Sequence, residues 1–505
     1  MIRYVRGRQR FALSGAVQAA FLFACFLFGA ASVRNFRGLA LLGLMFCVVV
    51  YWVKPQLMVW LALFAAFASL PDGWHYAMVF GPVTIYAYHV ALLLAICFLI
   101  PIVRPRFSAY LLPGMLLLTV VCFAVVGFAA GHDAADVVRE ATGMLELSGG
   151  FMLGLLIVYC GCIRGTIRAI AVTLWFSAGM VVASSFHAIR LAGRTESLRG
   201  AGGGCTGMAQ CAGAEAVRLM TNTVTPAIAV LTALVAALIV GRVRPATYLA
   251  LGPPAVIIAL LSFARISLIA MAVAAVVAFV ANLGWSSLRR TAVVTAAGAV
   301  LLAVTVPGAL FLLQHSSAGA WLGDQFTAFN NRVLGGVSTH TLAVDHSTLD
   351  RLAEDAHLNR AIAKAPVFGH GLGYAYQLPF GKARTFTATL GTTYAHNFYL
   401  WWLAKAGAVG MAAFALFALT PLFRALRCAS APAKISAAVG VGLLAVCTVS
   451  PMPQEAGDAL TLGLALGSAM AFASRGRTER LGAEQTPALT GAEQTQTPTL
   501  TGAAQ

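Results

Sequence analysis

A chain of 505 residues that is 60% hydrophobic and only 10% charged, with a mean hydropathy of +0.83, cannot present a water-soluble surface. Soluble domains carry about 25% charged residues, so the composition excludes a soluble enzyme and points to an integral membrane protein. The formal charge of +17 does not indicate nucleic acid, because the cations cluster in short loops between apolar runs. The ten cysteines form neither a paired CxxC metal site nor a disulfide framework.

In chain order, apolar runs long enough to cross a bilayer are predicted at about 11–31, 38–53, 55–70, 82–102, 109–130, 149–163, 169–187, 223–241, 245–263, 266–284, 291–313, 396–420, 436–450 and 458–474. The pairs 38–53/55–70 and 245–263/266–284 are tight hairpins, so the count is about 12–14 spans. The expected fold is all-α, a polytopic transmembrane helix bundle. No small-residue cleavage site follows Phe11–Ala31, so that run is expected to remain as a span.

Lysine and arginine in short loops set the orientation. Arg3, Arg6, Arg8 and Arg10 share a side with Lys54, Arg104, Arg106, Arg164 and Arg168 if spans alternate. Arg242, Arg244, Arg289, Arg290, Arg424, Arg427, Lys434, Arg475, Arg477 and Arg480 continue the set, with Arg34 and Arg37 dissenting. The expectation is a multi-pass plasma (inner) membrane protein with both termini cytoplasmic. The acidic residues from Asp72 to Asp458 then lie on the outer side. No carboxylate is expected in mid-span, as a proton-coupled transporter would need.

The chain divides into an N-terminal part of the bundle, 1–313, with an outer loop at 188–222, and a large extracytoplasmic loop, 314–395. C-terminal spans follow at 396–474, then a Thr/Gln/Ala-rich tail, 475–505, that reads as disordered. The large loop is expected to be folded and largely helical. Ser347 is its candidate N-cap, Leu349, Leu352, Ala356 and Leu358 form an apolar face, and Pro366 and Gly369 mark the stop.

The stretch GTTYAHNFYLWWLAKAGAVG puts His396 and Asn397 at the front of an apolar run. An uncharged imidazole at the mouth of a span is a competent general base, and the amide beside it can orient a substrate. The alternative is a helix cap and interfacial anchor, with Tyr399, Trp401 and Trp402 as an aromatic belt. Arg265, in LLSFARISLIAMAV, interrupts apolar sequence. An arginine in a span costs roughly 2.5–3.5 kcal/mol on insertion scales, which marks it as a functional candidate, with a hairpin-tip position as the alternative. Arg199, before the glycines Gly200, Gly202, Gly203 and Gly204, and Arg351 on the loop helix are candidate diphosphate ligands, because a guanidinium binds phosphate through a two-point fork. Each alone is a weak signal, because an exposed loop arginine is usually there for solvation. Cys205 and Cys211 are open to pairing, and His370 reads as a turn residue. No phosphate-binding G-x-x-x-x-G-K-[ST] loop or acidic metal cluster is present, so neither a metal nor a cofactor is expected.

Three segments resemble the O-antigen ligase and O-antigen polymerase superfamily, membrane glycosyltransferases that use polyprenyl-diphosphate-linked glycans. AHNFYLWWLAKAGAVG is similar to its His-Asn…Leu…Gly…Gly element, and RLAEDAHLNRAIAKAPVFGHGLG to the loop segment before it. FARISLIAM resembles its Ser-Arg element, with Ala264 at the usual serine position. The likeness covers about 260–415. It implies that His396 deprotonates the attacking hydroxyl, that Arg265 holds the diphosphate and that Arg351 assists. Arg199 matches only loosely, because the Pro-Asn that often follows is missing. The implied partners are a polyprenyl-diphosphate-linked glycan donor, a glycan or glycolipid acceptor and the bilayer, with no nucleic acid. A polymerase is the alternative to a ligase, and a non-catalytic flippase the alternative from another class.

Overall fold

In the computed structural model, the described residues are 36–72, 77–80, 83–186, 188–197, 217–241, 244–296 apart from 286, 290 and 294, then 308, 316–330, 333, 346–379, 390–455 and 457–485. Arg199, Cys205, Cys211, the run 11–31 and most of 291–313 lie outside them. So does the tail beyond 485.

The described residues fold as a helix bundle, as expected. In chain order the helices are α1 (Phe36–Val53), α2 (Leu57–Phe67), α3 (Ala87–Val103), α4 (Leu111–Ala129), α5 (Ala134–Cys160) and α6 (Ile163–Ser185). They continue with α7 (Val224–Val240), α8 (Pro245–Ser262), α9 (Ile266–Ala281), α10 (Ser317–Phe329) and α11 (His346–Lys364). Last come α12 (Phe398–Leu426), α13 (Ala431–Val446) and α14 (Asp458–Gln485). Five of these, α4, α5, α6, α8 and α12, are long and apolar enough to cross a membrane. Two short antiparallel strand pairs, Ala77–Phe80 with Val83–Tyr86 and Arg194–Ser197 with Val217–Met220, add to the helices.

Helix α5 is the axis of the bundle: 72% of its apolar window is buried, against 28% for α4. Its partner is α14, and the contact is made by two facing small-residue repeats. Gly150 and Gly154 lie against the carbonyls of Leu460 and Leu464, while Gly463 and Gly467 lie against those of Leu147 and Phe151. A Cβ on any of the four would stand 2.0–2.5 Å from a backbone oxygen. Hydrocarbon gives helices no hydrophobic reason to associate, so close backbone packing supplies the attraction.

The start of α5 corrects the predicted span 149–163. Asp133 caps the helix by accepting from Ala135 N–H at 3.0 Å, and the helix then runs unbroken through Glu140 and Glu146, each 4% exposed. Two carboxylates therefore do lie inside a candidate span, contrary to the expectation of none. Both are satisfied. Glu146 accepts from Tyr88 Oη and Gly457 N–H and meets His89 Nε2, and Glu140 is ion-paired with Lys405. Buried charge persists only when it is paired.

Helix α12 departs from the single span expected at 396–420. Gly407 has φ +61° and ψ −167°, and the chain doubles back there. Phe398 and Phe414 pack at 4.9 Å between ring centroids and Trp402 Nε1 donates to the Gly410 carbonyl. On a straight helix those two phenylalanines would stand about 24 Å apart. His396 therefore opens a short helical arm, 398–406, that folds against the span following it.

Candidate active site

The arm's mouth is built from the backbone outward. Thr393 is held by the Arg139 guanidinium at 2.7 Å and by Trp401 Nε1, which donates to its carbonyl. The Tyr394 carbonyl accepts from Tyr376 Oη, and Tyr394 Oη donates to Glu455. Gln454 brackets Ala395, donating to its carbonyl and accepting from its N–H. Phe398 N–H donates to the Cys447 carbonyl at the end of α13. Burial, and then the Glu455 carboxylate, push the Tyr394 hydroxyl well above its ordinary range, so it stays a donor.

His396 is pinned from the loop helix. Glu354, on α11, accepts from His396 Nδ1 at 2.9 Å and from its backbone N–H at 3.2 Å, both through Oε2. The glutamate side chain is 11% exposed and the histidine 32%, so the acid lies behind and the ring faces outward. Tyr394 meets the ring edge-on at 5.6 Å. Asn397 is the N-cap of α12, its Oδ1 accepting from Leu400 N–H at 3.3 Å, and its side chain also bonds Asp355. Burial and then the Glu354 charge raise the Asp355 carboxyl above the usual carboxylate range, while Asn397, His396 and Arg351 pull it partway back.

Sequence reasoning missed Glu354 and Asp355. It read Leu349, Leu352, Ala356 and Leu358 as the apolar face of α11; Leu358 is buried, but Leu349 and Leu352 are 47% and 61% exposed and Ala356 is exposed. The face that packs carries Glu354, Leu358 and Ala361, all buried. The apolar stripe misled because the helix turns its acids toward the His-Asn pair. The available signal was Arg351, Glu354 and Asp355 at helical spacing inside one segment.

Arg351 stands one turn before Glu354 and is half-buried, and its Nε is closed off from solvent with no hydrogen-bond partner. Arg265 occupies the corner between α8 and α9, after Phe263, which adopts φ +47° and packs against Ala328 and Val333. Its end of the bundle follows from packing. Ala270, just over one turn into α9, lies against Gly442, just over one turn before Cys447, and Ala274 and Ala278 pack with Ala438. Helix α13 thus runs antiparallel to α9 and ends where Arg265 begins, with Phe398 on the Cys447 carbonyl. Arg265, Arg351, His396 and Asn397 therefore gather at one end of the bundle, with Arg199 outside the described residues. His370 sits in the turn after α11, stacked on Tyr374 at 4.0 Å, with Nε2 on the Ala361 carbonyl.

No curated protein matches the chain. Residues 250–415 match the O-antigen ligase family, and that segment holds the α8–α9 corner, α11 and the arm of α12. That segment, about a third of the chain, carries the likeness to the O-antigen ligase and polymerase superfamily.

Proposed function

We propose that the protein transfers a polyprenyl-diphosphate-linked glycan to an acceptor hydroxyl at the outer face of the plasma membrane, in the manner of an O-antigen ligase. The observation that carries this reading is the outward-facing His396 ring, with Nδ1 engaged by the protein, at the same bundle end as Arg265 and Arg351. His396 Nε2 takes the acceptor proton as the hydroxyl oxygen attacks the anomeric carbon. The bond from that carbon to the diphosphate oxygen breaks and the electron pair leaves with the polyprenyl diphosphate. Attack from the face opposite the leaving group inverts the configuration. Arg265 and Arg351 stabilise the charge that develops on the leaving group, where fixed cations contribute most. A base, two guanidiniums and an activated donor suffice for the step, so the reading calls for no metal. Asn397 acts in the same place by capping the arm and holding Asp355.

The test is mass spectrometry of surface glycans and carrier lipids in a deletion strain complemented with wild type or His396→Ala. Build-up of finished chains on the carrier lipid in both the deletion and the His396→Ala strain is expected. Build-up of single units instead indicates a polymerase. Substantial transfer by an inserted His396→Ala protein removes the base assignment, since a general base supplies about 10²–10⁴-fold.

A further inference from the structure

We infer that Glu354 is the positioning residue of His396, fixing its ring orientation and tautomer. The inference rests on the reading of His396 as the base and adds a residue to it. One carboxylate oxygen, Oε2, accepts from two groups of the same histidine, the backbone N–H at 3.2 Å and Nδ1 at 2.9 Å. Two contacts from one rigid group fix the ring relative to its own backbone, which a single bond could not do. A carboxylate only accepts, so Nδ1 carries a proton, and in the neutral ring the lone pair is then on Nε2. The ring's partly exposed side is then its basic side.

The clamp comes from 42 residues away in sequence and depends on α11 being seated on α12. Leu358 and Ala361, at 0% and 4% exposure, make that seat. Asp355 does not substitute for Glu354, because it is turned to Asn397. Without Glu354 the ring is free to rotate and to exchange tautomers, and the population with Nε2 aimed at an acceptor falls.

The test uses the purified full chain in lipid nanodiscs, with carrier-linked glycan extracted from the deletion strain as donor and that strain's membranes as acceptor. Glu354→Ala is expected to lower kcat by about 10²-fold, the low end of what a general base supplies, with KM within about twofold. Glu354→Asp should recover part of kcat, and Glu354→Gln, which keeps an accepting oxygen, should lose less than the alanine variant. Leu358→Ala controls for docking: it loosens the seat but keeps the carboxylate, so it should lower Tm and raise KM while reducing kcat far less than Glu354→Ala. If Glu354→Ala shows the Leu358→Ala pattern, or keeps wild-type kcat while His396→Ala is inactive, Glu354 only seats the helix and the inference fails. If His396→Ala itself retains full activity, the base reading fails and takes the inference with it. Should the alanine variant not fold, the Asp and Gln variants carry the same comparison.

Discussion

Lys405 and Glu140 form a 2.6 Å ion pair with side-chain exposures of 0% and 5%. The ammonium also donates to the Tyr374 carbonyl at 2.6 Å and lies 5.6 Å from the centre of the Trp401 ring. The second carboxylate oxygen accepts from Gly373 N–H at 2.6 Å. The pair therefore ties α5, the arm of α12 and the turn 372–374 together. Removing one member strands the other charge, which costs about 3–5 kcal/mol. Lys405→Met or Glu140→Leu alone should sharply lower the thermal stability of the purified protein, and the double variant should recover much of the loss. A double variant as unstable as either single one would show that the pair is not the unit.

Gly407 should not tolerate a side chain. A Cβ there would stand 2.2 Å from the Val367 carbonyl oxygen, and φ is +61°. The break is closed by the loop before it: His370 and Gly371 donate to the Ala404 and Lys405 carbonyls, and Ala408 and Val409 donate to those of Pro366 and Val367. Four groups that a helix break would orphan are thus satisfied. Gly407→Ala should cost about 1–3 kcal/mol from the backbone alone and more from the collision, read as lost folded yield by size-exclusion chromatography. Gly179, with open space around its Cβ position, is the comparison, and Gly179→Ala should express normally.

Arg265→Ala is expected to lose transfer, and Arg265→Lys to recover only part of it. A lysine restores the charge but not the two-point fork. Initial rates with carrier-linked donor separate the cases, and full activity in the lysine variant would rule out bidentate binding of the diphosphate.

Asp355 gives a pH signature. Its carboxyl is raised by burial and by Glu354, so the folded state holds the proton to a higher pH than the unfolded chain. Stability at this site is greatest below the unfolded value, near 3.9, and declines as pH rises through the raised folded value. Asp355→Asn should therefore raise Tm at pH 7 and make little difference near pH 4. An unchanged difference across that range would show that the aspartate does not titrate as its surroundings imply.

Much of the bundle was legible because lipid imposes a length and a polarity on each helix. The runs at 38–53, 109–130, 223–241, 245–263 and 266–284 became α1, α4, α7, α8 and α9 with small shifts at their ends, while 169–187 became α6 starting at Ile163, which takes Arg164 and Arg168 into the helix. Glu140 and Glu146 defeated the same rule, since a hydropathy window charges a carboxylate for burial without seeing Lys405 or His89. The doubled-back arm was equally hidden. AKAGAVG scans as helix, and only the docked Pro366–Gly371 backbone makes the left-handed turn at Gly407 favourable.

By itself the sequence determined the membrane class, the helical architecture and the candidacy of His396, Asn397, Arg265 and Arg351, because each follows from residue type and local pattern. Tertiary structure alone decided that Arg265 and His396 share an end of the bundle, that Glu354 holds the imidazole and that the arm folds back. Those are pairings across tens to hundreds of residues, set by which helix faces can pack closely and which buried charges can find partners, and periodicity along one segment carries no record of them.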